Sequence, residues 1–265
     1  MAVARVPNKA SKHALPTRLR RLTSLLLVPA MSRQFEQRLL GDYIEPITVK
    51  GPILETALSQ SLIESLVDSS HATVGISPAY NTTGRLVVLA IANATSVLVI
   101  QFQNVPQDHH VRVLLRDLLL CRTGVKVYSF DIAPLALALY KDHGLHVDNA
   151  IDIQSACRTK TRDPYLSIKY ALSDKFEIFE SNIRAIFNPE SFTWNPKNVL
   201  FDLGQRAWIA HYLSQIKDME HEFQAVAEVH TSKMPRDVSC RVLSSCILLT
   251  WGSSIGSHTT REQSV

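Results

Sequence analysis

Several things that would fix the chemistry of this chain at once are missing from its sequence. Its four cysteines, Cys121, Cys157, Cys240 and Cys246, form no Cys-x-x-Cys pair. That spacing speaks against a zinc site of paired thiolates and points to reduced thiols in an intracellular protein. A zinc site joining Cys240, Cys246 and His230 follows no standard pattern, so core or tail thiols are the reading. No apolar run approaches the roughly 18 residues of a membrane span, and no membrane partner is expected. There is no Gly-rich phosphate loop, no G-x-S-x-G elbow and no internal repeat. The first 33 residues hold seven arginines and lysines, from Arg5 to Arg33, and no acidic residue. Two readings fit them: a mitochondrial transit peptide or a disordered basic arm. Pro7, Pro16 and Pro29 would interrupt a long amphipathic helix. The Leu25–Val28 run is too short for a secretory signal.

What is there describes a folded chain. The 265 residues are 46% hydrophobic and 20% charged, which suits one large domain with tails. A net charge of +4 permits an anionic partner without demanding one. The expected location is the nucleus or cytoplasm, or the mitochondrion if the basic segment is a transit peptide.

The chain is organised around His71–Gln103. Three apolar runs there, Ala72–Ile76, Arg85–Ala92 and Ser96–Phe102, are bounded by turns at Asn81–Gly84 and Asn93–Thr95. They predict an antiparallel meander inside a mixed sheet. Before it, Tyr43–Val49 reads as an edge strand containing Pro46. Ile53–Val67 reads as a helix, with Leu54, Leu58, Leu62 and Leu66 at i, i+4 spacing. After it come a helix over Val111–Leu120, which Asp108 would cap, and a strand over Val125–Ser129. A helix from Asp131 to Gly144 follows, with Pro134 in its first turn. Val147–Ile153 is a strand, and Lys197–Lys217 an unbroken helix. Gly204 inside that helix costs about 1 kcal/mol and suggests a close packing contact. Asp163–Asn188 reads as mixed helices and loops. Asp108-His109-His110 reads as a loop with exposed histidines, having no ligand pair at i, i+4.

Three of these segments resemble the motifs of the ribonuclease D-like and Werner-type 3′–5′ exonucleases. That family's first strand ends in Gly-Φ-Asp-x-Glu-aromatic; here it reads Gly75-Ile76-Ser77-Pro78-Ala79-Tyr80 and is followed by the Val97–Ile100 strand. The second motif resembles Gly124–Ile153, with Asp131 on the catalytic Asp and Asp152 on a frequent non-catalytic one. The third aligns with Asp202–Ala210, which places Asp202 on the family's Tyr and Arg206 on its Asp. The resemblance covers roughly residues 43 to 217. It implies an α/β, ribonuclease H-like mixed β-sheet flanked by helices, as a 3′–5′ exonuclease-like domain over 43–223. A basic arm or transit peptide over 1–42 precedes it, and an unplaced Ser/Thr-rich tail over 224–265 follows.

The resemblance also implies a chemistry that this chain can barely supply. Two-metal phosphodiester cleavage needs carboxylates converging on Mg²⁺ or Mn²⁺ ions roughly 3.5–4 Å apart. Of the family's carboxylates only Asp131 is kept. Ser77 and Ala79 replace the first pair, and Arg206 reverses a charge. The expected reading is an inactive, nucleic-acid-binding adaptor in RNA metabolism, with no cofactor. RNA or single-stranded DNA is the expected ligand, and protein partners are allowed. Arg85, Arg158, Lys160, Arg162 and Arg206 are the candidate phosphate contacts, with Tyr80, Phe192 and Trp194 as stacking candidates. Arg206, one turn after Asp202, is expected either to pair with it and reach toward Asp131 or to point into solvent. An active enzyme, with Mg²⁺ or Mn²⁺ on rearranged ligands such as Asp152 and Asp202, is one alternative. A protein-interaction scaffold without nucleic-acid contact is the other.

Overall fold

In the computed structural model of the chain, the described residues are 32–36 and 46–233, apart from 68–71, 105, 107, 108, 158, 160, 174–178, 197 and 198. Their strands are β1 (Ser32–Glu36), β2 (Pro46–Leu54), β3 (Ala72–Tyr80), β4 (Leu86–Ala92), β5 (Ser96–Gln101), β6 (Val125–Ser129) and β7 (Ala150–Asp152). They form one sheet in the order β1-β2-β5-β4-β3-β6-β7. β3, β4 and β5 make the antiparallel meander. β6 and β7 then run parallel to β3 and to each other. Three antiparallel strands continued by two parallel crossover strands give the mixed ribonuclease H-like sheet that the sequence predicts.

The helices are α1 (Gln60–Glu64), α2 (His110–Leu115), α3 (Ile132–His143), α4 (Ile153–Ala156), α5 (Pro164–Leu172), α6 (Glu180–Ile186), α7 (Val199–Ser214) and α8 (Glu220–Ala225). They cover both faces. Residue alternation along the strands decides which side chain meets which layer. Leu89, Ile91, Leu98 and Ile100 face the layer of α1, α2 and α3. Val88, Ala90, Ala92, Val97 and Val99 face the layer built around α7.

α7 lies unusually close to the sheet, and Gly75 is the reason. A Cβ on Gly75 would sit 2.0 Å from the Ala207 carbonyl oxygen and 2.4 Å from the His211 nitrogen. The close approach expected at Gly204 is therefore found at Gly75, on the strand, although Gly204 is itself buried in α7. Sequence alone marks a glycine in a helix as costly and passes over one in a strand.

Four other expectations change. β2 is not an edge strand, because it pairs with β5 on one side and with β1 on the other. β1 thus falls inside the segment read as a basic arm. Pro46 stands at the first residue of β2, where a missing N–H is tolerated. The helix expected over Ile53–Val67 is divided: β2 runs to Leu54, a 3-10 turn holds Glu55–Ala57, and α1 starts after Ser59, whose side chain accepts from the Leu62 amide. Glu55 sets the break, because its buried carboxylate reaches Arg112 at 2.6 Å. Asp108 lies outside the described residues; the cap of α2 is His109, whose Nδ1 accepts from the Val111 amide at 3.4 Å. Past α8 the chain returns to the sheet. Val229 pairs with Ala150, and the Thr231 hydroxyl accepts from the Val147 amide. The folded body extends to Lys233, ten residues past the expected boundary.

Candidate functional site

The site forms where the carboxyl ends of β3 and β6 meet α7. The β3–β6 register pairs Gly75 with Tyr128, so Ser77 and Asp131 lie just beyond neighbouring strand positions. Ser77 and Ala79 point toward α7, on the same face as Gly75. Because α7 crosses Gly75 at Ala207–His211, Arg206 stands over Ser77, and its Nε donates to the Ser77 Oγ at 3.0 Å. Ser77, Ala79 and Arg206 therefore come together as aligned.

They do not form an open cleft. Ser77 is 3% exposed, Ala79 0% and Arg206 1%. The guanidinium is enclosed by acceptors from three elements. Nη1 donates to the Ile186 carbonyl at 2.7 Å, at the end of α6, and to the Ser191 Oγ at 2.8 Å. Nη2 donates to the Pro78 carbonyl at 3.3 Å and the Ser191 carbonyl at 3.2 Å. Its Cζ lies over the Phe192 ring, 4.0 Å from the centroid. Ser191 and Phe192 belong to the 3-10 turn Pro189–Phe192, which closes over the end of β3. The Trp194 amide then donates to the Tyr80 carbonyl at 2.7 Å and fastens that turn to the strand.

Two expectations about Arg206 are corrected. It neither points to solvent nor makes an ion pair with Asp202 or any other carboxylate among the described residues. Buried as it is, it cannot touch a nucleic-acid phosphate either. Burial lowers its pKa to about 9, and the more distant Asp202 charge works against that shift. Burial also pushes the Asp202 carboxyl up from its usual range, opposed by Arg206.

Asp131 is held by different partners. It occupies the left-handed region at φ 57°, ψ 57°, which a non-glycine residue adopts only under local constraint. The constraint is Asp152, whose Oδ1 accepts from the Asp131 amide at 3.1 Å. Arg162 pairs with the Asp152 carboxylate and reaches Asp131 Oδ1 at 3.4 Å. Burial raises the Asp131 pKa, Arg162 opposes the rise and Asp152 adds to it. Asp131 is 35% exposed and Arg162 49%, so this pair faces solvent where Arg206 does not. Arg158 and Lys160 lie outside the described residues. Arg85 is exposed beside Asp142, whose carboxylate accepts from the Leu86 amide at 2.8 Å.

Next to the filled site is an open groove of about 420 Å³. Tyr80, Pro134, Leu137, Ala138 and Phe192 give it an apolar lining; Asn81, Lys141 and Asp142 give it polar edges. Two of the three aromatic candidates, Tyr80 and Phe192, line it. Trp194 packs against the core instead. Burial raises the Tyr80 phenol far above its usual range, with the charges of Asp131 and Asp142 adding to the effect.

The chain is similar to several solved structures. The exonuclease domain of Aedes aegypti Nibbler matches with a TM-score of 0.48 and 11% identity, over 62% of this chain and 85% of that one. Trypanosoma brucei RNase D, solved with GMP, matches with a TM-score of 0.45 and 16% identity, over 61% of this chain and 57% of that one. Escherichia coli RNase D, an exoribonuclease involved in structured RNA processing, matches with a TM-score of 0.45 and 12% identity, over 73% and 47%. The chain thus spans about half the length of the two RNase D chains. No protein-family model matches the sequence, and none of the curated proteins does. These are likenesses of chain path, and the fold itself rests on strand order and direction.

The residues at this site do not fit a Mg²⁺ or Mn²⁺ pair. Divalent ions of this kind need several hard, anionic oxygens. Here the position between β3 and α7 holds a hydroxyl, a methyl group and a guanidinium. Among the described residues, no group of three or more His, Cys, Asp or Glu side chains is placed to hold a metal ion.

Sequence reasoning found Ser77, Asp131 and Arg206 but missed Ser191 and the Ile186 and Pro78 carbonyls. Two of those partners are backbone atoms, which leave no trace in residue type. The third sits in a segment with no motif at all.

Proposed function

We propose that this chain is an exonuclease-like nucleic-acid-binding domain without nuclease activity, serving as an adaptor in RNA metabolism. The observation that carries the reading is the buried Arg206 side chain. It fills the space between β3 and α7 where two-metal chemistry would need anionic ligands, and it brings a positive charge there. Asp131, Asp152 and Asp202 do not rescue the alternative of an active enzyme. The first two are shared by Arg162, and Asp202 lies on the far side of the Arg206 network, against Asn188 and Glu190.

Binding requires none of these ions. Single-strand recognition rests on flat apolar surfaces that stack bases and on cations along the backbone path. The groove beside Asp131 offers the Tyr80 and Phe192 rings and the apolar side of α3. Lys141 and Asp142 stand at one rim with Arg85 behind Asp142, and Arg162 stands beside Asp131. Arg162 is already shared by two carboxylates and Arg85 reaches the Asp142 carbonyl, so Lys141, which lines the groove, is the first phosphate contact to test.

The test pairs two assays on pure full-length protein. Labelled single-stranded RNA and DNA incubated with Mg²⁺ or Mn²⁺ should remain intact. The same RNA should bind with an affinity that EDTA leaves unchanged and that rising salt weakens. Shortening of the labelled strand from its 3′ end would overturn the inactive reading. Absence of binding at low salt would favour a protein scaffold.

A further inference from the structure

The Arg206 network has geometry beyond what loss of a metal site requires. A guanidinium replacing an unwanted carboxylate needs only to be tolerated. This one is bonded to Ser77 and Pro78 on β3, to Ile186 at the end of α6, and to Ser191 in the 3-10 turn, and it stacks under Phe192. These acceptors lie behind the groove, close in sequence to residues that line it: Ala79 separates Pro78 from Tyr80, and Ser191 precedes Phe192. Phe192 presents one ring face to Arg206 and the rest of its side chain to the groove. Pro189 and Thr193, on either side, line the groove as well. Ser191 is the hinge point: its hydroxyl accepts from Arg206 and lies 2.6 Å from the Ile186 carbonyl, and its own carbonyl accepts from Arg206 twice.

We propose that Arg206 is the positioning residue of the groove, latching the Pro189–Phe192 turn onto β3 from beneath so that Phe192 and Thr193 form one wall. It never touches the ligand. It acts through Phe192 and through the Trp194–Tyr80 backbone bond that the latched turn permits. This rests on the reading of the groove as the nucleic-acid-binding surface, but the latch itself is a separate physical claim. An internal cation crosslinking three elements does mechanically what bound metal does in many sites: it fixes the spacing of parts that have little other reason to stay together. The apolar contacts of the turn alone are few, because Thr193 is exposed and Phe192 only half-buried.

The experiment uses full-length protein and three variants: Ser191→Ala, Arg206→Lys and Arg206→Met. Ser191→Ala removes the hydroxyl contacts without exposing or deleting the buried charge, so it should fold even if Arg206→Met does not. Hydrogen exchange reads the Trp194 amide, with the β4 and β5 amides as internal reference. Fluorescence anisotropy with a labelled oligouridylate reads the groove. The latch predicts that Ser191→Ala speeds exchange at Trp194 selectively and weakens RNA binding by on the order of tenfold, about 1.4 kcal/mol. Arg206→Lys, which keeps charge but not the fork, should show the same local loosening. Unchanged Trp194 exchange in Ser191→Ala and Arg206→Lys would overturn the latch. Faster exchange with unchanged RNA affinity would overturn the groove-wall role. If wild-type protein binds no RNA, the nucleic-acid reading fails, while the exchange result still decides the latch.

Discussion

At the scale of single residues, Arg206 dominates. Removing a fully buried guanidinium takes the partner from the Ser77 hydroxyl and the Pro78 and Ser191 carbonyls, while the Ile186 carbonyl keeps the Ser191 hydroxyl. Each buried acceptor without a partner costs about 1–3 kcal/mol, partly offset by relief of the desolvated charge. Arg206→Ala should therefore destabilise the fold by about 3 kcal/mol. A surface Asp–Arg helix pair would give only about 0.5 kcal/mol. Chemical denaturation distinguishes these figures, and a change under 1 kcal/mol would contradict the buried network. The residue scale is also where legibility was most uneven. That Ser77 and Arg206 meet was readable, because two independent motif alignments placed them on facing elements. What Arg206 bonds was not readable. Apart from the Ser77 and Ser191 hydroxyls, its partners are main-chain oxygens of β3, the end of α6 and the 3-10 turn, and no residue pattern encodes those.

At the scale of elements, α7 and β3 meet backbone to backbone at Gly75. A methyl group at Gly75 would overlap backbone atoms of α7, which cannot move aside as a flexible side chain would. Gly75→Ala should therefore abolish the cooperative unfolding transition, whereas Gly84→Ala, which meets nothing within 4 Å but has φ +76°, should lower the midpoint only modestly. Circular dichroism melts of both would settle the contrast. The same joint contains a pH dependence. His211 is buried on α7, its Nδ1 lies 3.1 Å from the Thr73 carbonyl, and burial lowers its pKa to about 4. Between its unfolded value near 6.5 and about 4, the unfolded chain takes up a proton that the folded chain refuses. Stability is therefore complete above about pH 6.5 and is lost as pH falls toward 4, by about 3 kcal/mol. His143, lowered chiefly by burial between Phe102 and Arg112, acts in the same direction. Asp131 and Asp202, raised by burial, oppose it more weakly because both are part-exposed. His211→Gln should flatten the acid limb of the stability profile; an unaltered limb would exclude His211 as its source. Among elements, the meander, β6, α3 and α7 were legible from hydrophobic runs and turn residues. The break at Glu55 was not, because a leucine stripe at i, i+4 looks the same whether a buried ion pair interrupts it or not.

At the scale of the whole molecule, the folded unit is larger than the motifs that mark it. The segment from Val226 to Lys233 closes the β7 side through Val229 and Thr231. A chain cut after Phe223 should expose the edge of β7 and unfold at lower temperature than one cut after Lys233, a difference that a thermal melt of the two would measure. No helix among the described residues is long and apolar enough to cross a membrane. The mixed sheet with helices on both faces was legible as a class. The seventh strand, β1, was not, because it lies in a stretch whose composition reads as a basic arm.

The enclosure of Arg206 also has a consequence for the paths open to this sequence. Substituting Ser77→Asp alone places a carboxylate beside a guanidinium 3.0 Å from the present hydroxyl, which yields an ion pair and no vacancy for a metal. Calorimetry with Mg²⁺ should remain silent on that variant. Substituting Arg206→Asp alone buries an anion among the carbonyl oxygens of Pro78, Ile186 and Ser191, with no cation beside it and only the Ser77 and Ser191 hydroxyls as nearby donors. Ala79→Glu alone forces a second charge into a fully enclosed position. Each single step toward a metal site is thus neutral at best and costly otherwise, and the benefit arrives only when several changes coincide. The present arrangement is a local optimum with respect to single substitutions at Ser77, Ala79 and Arg206.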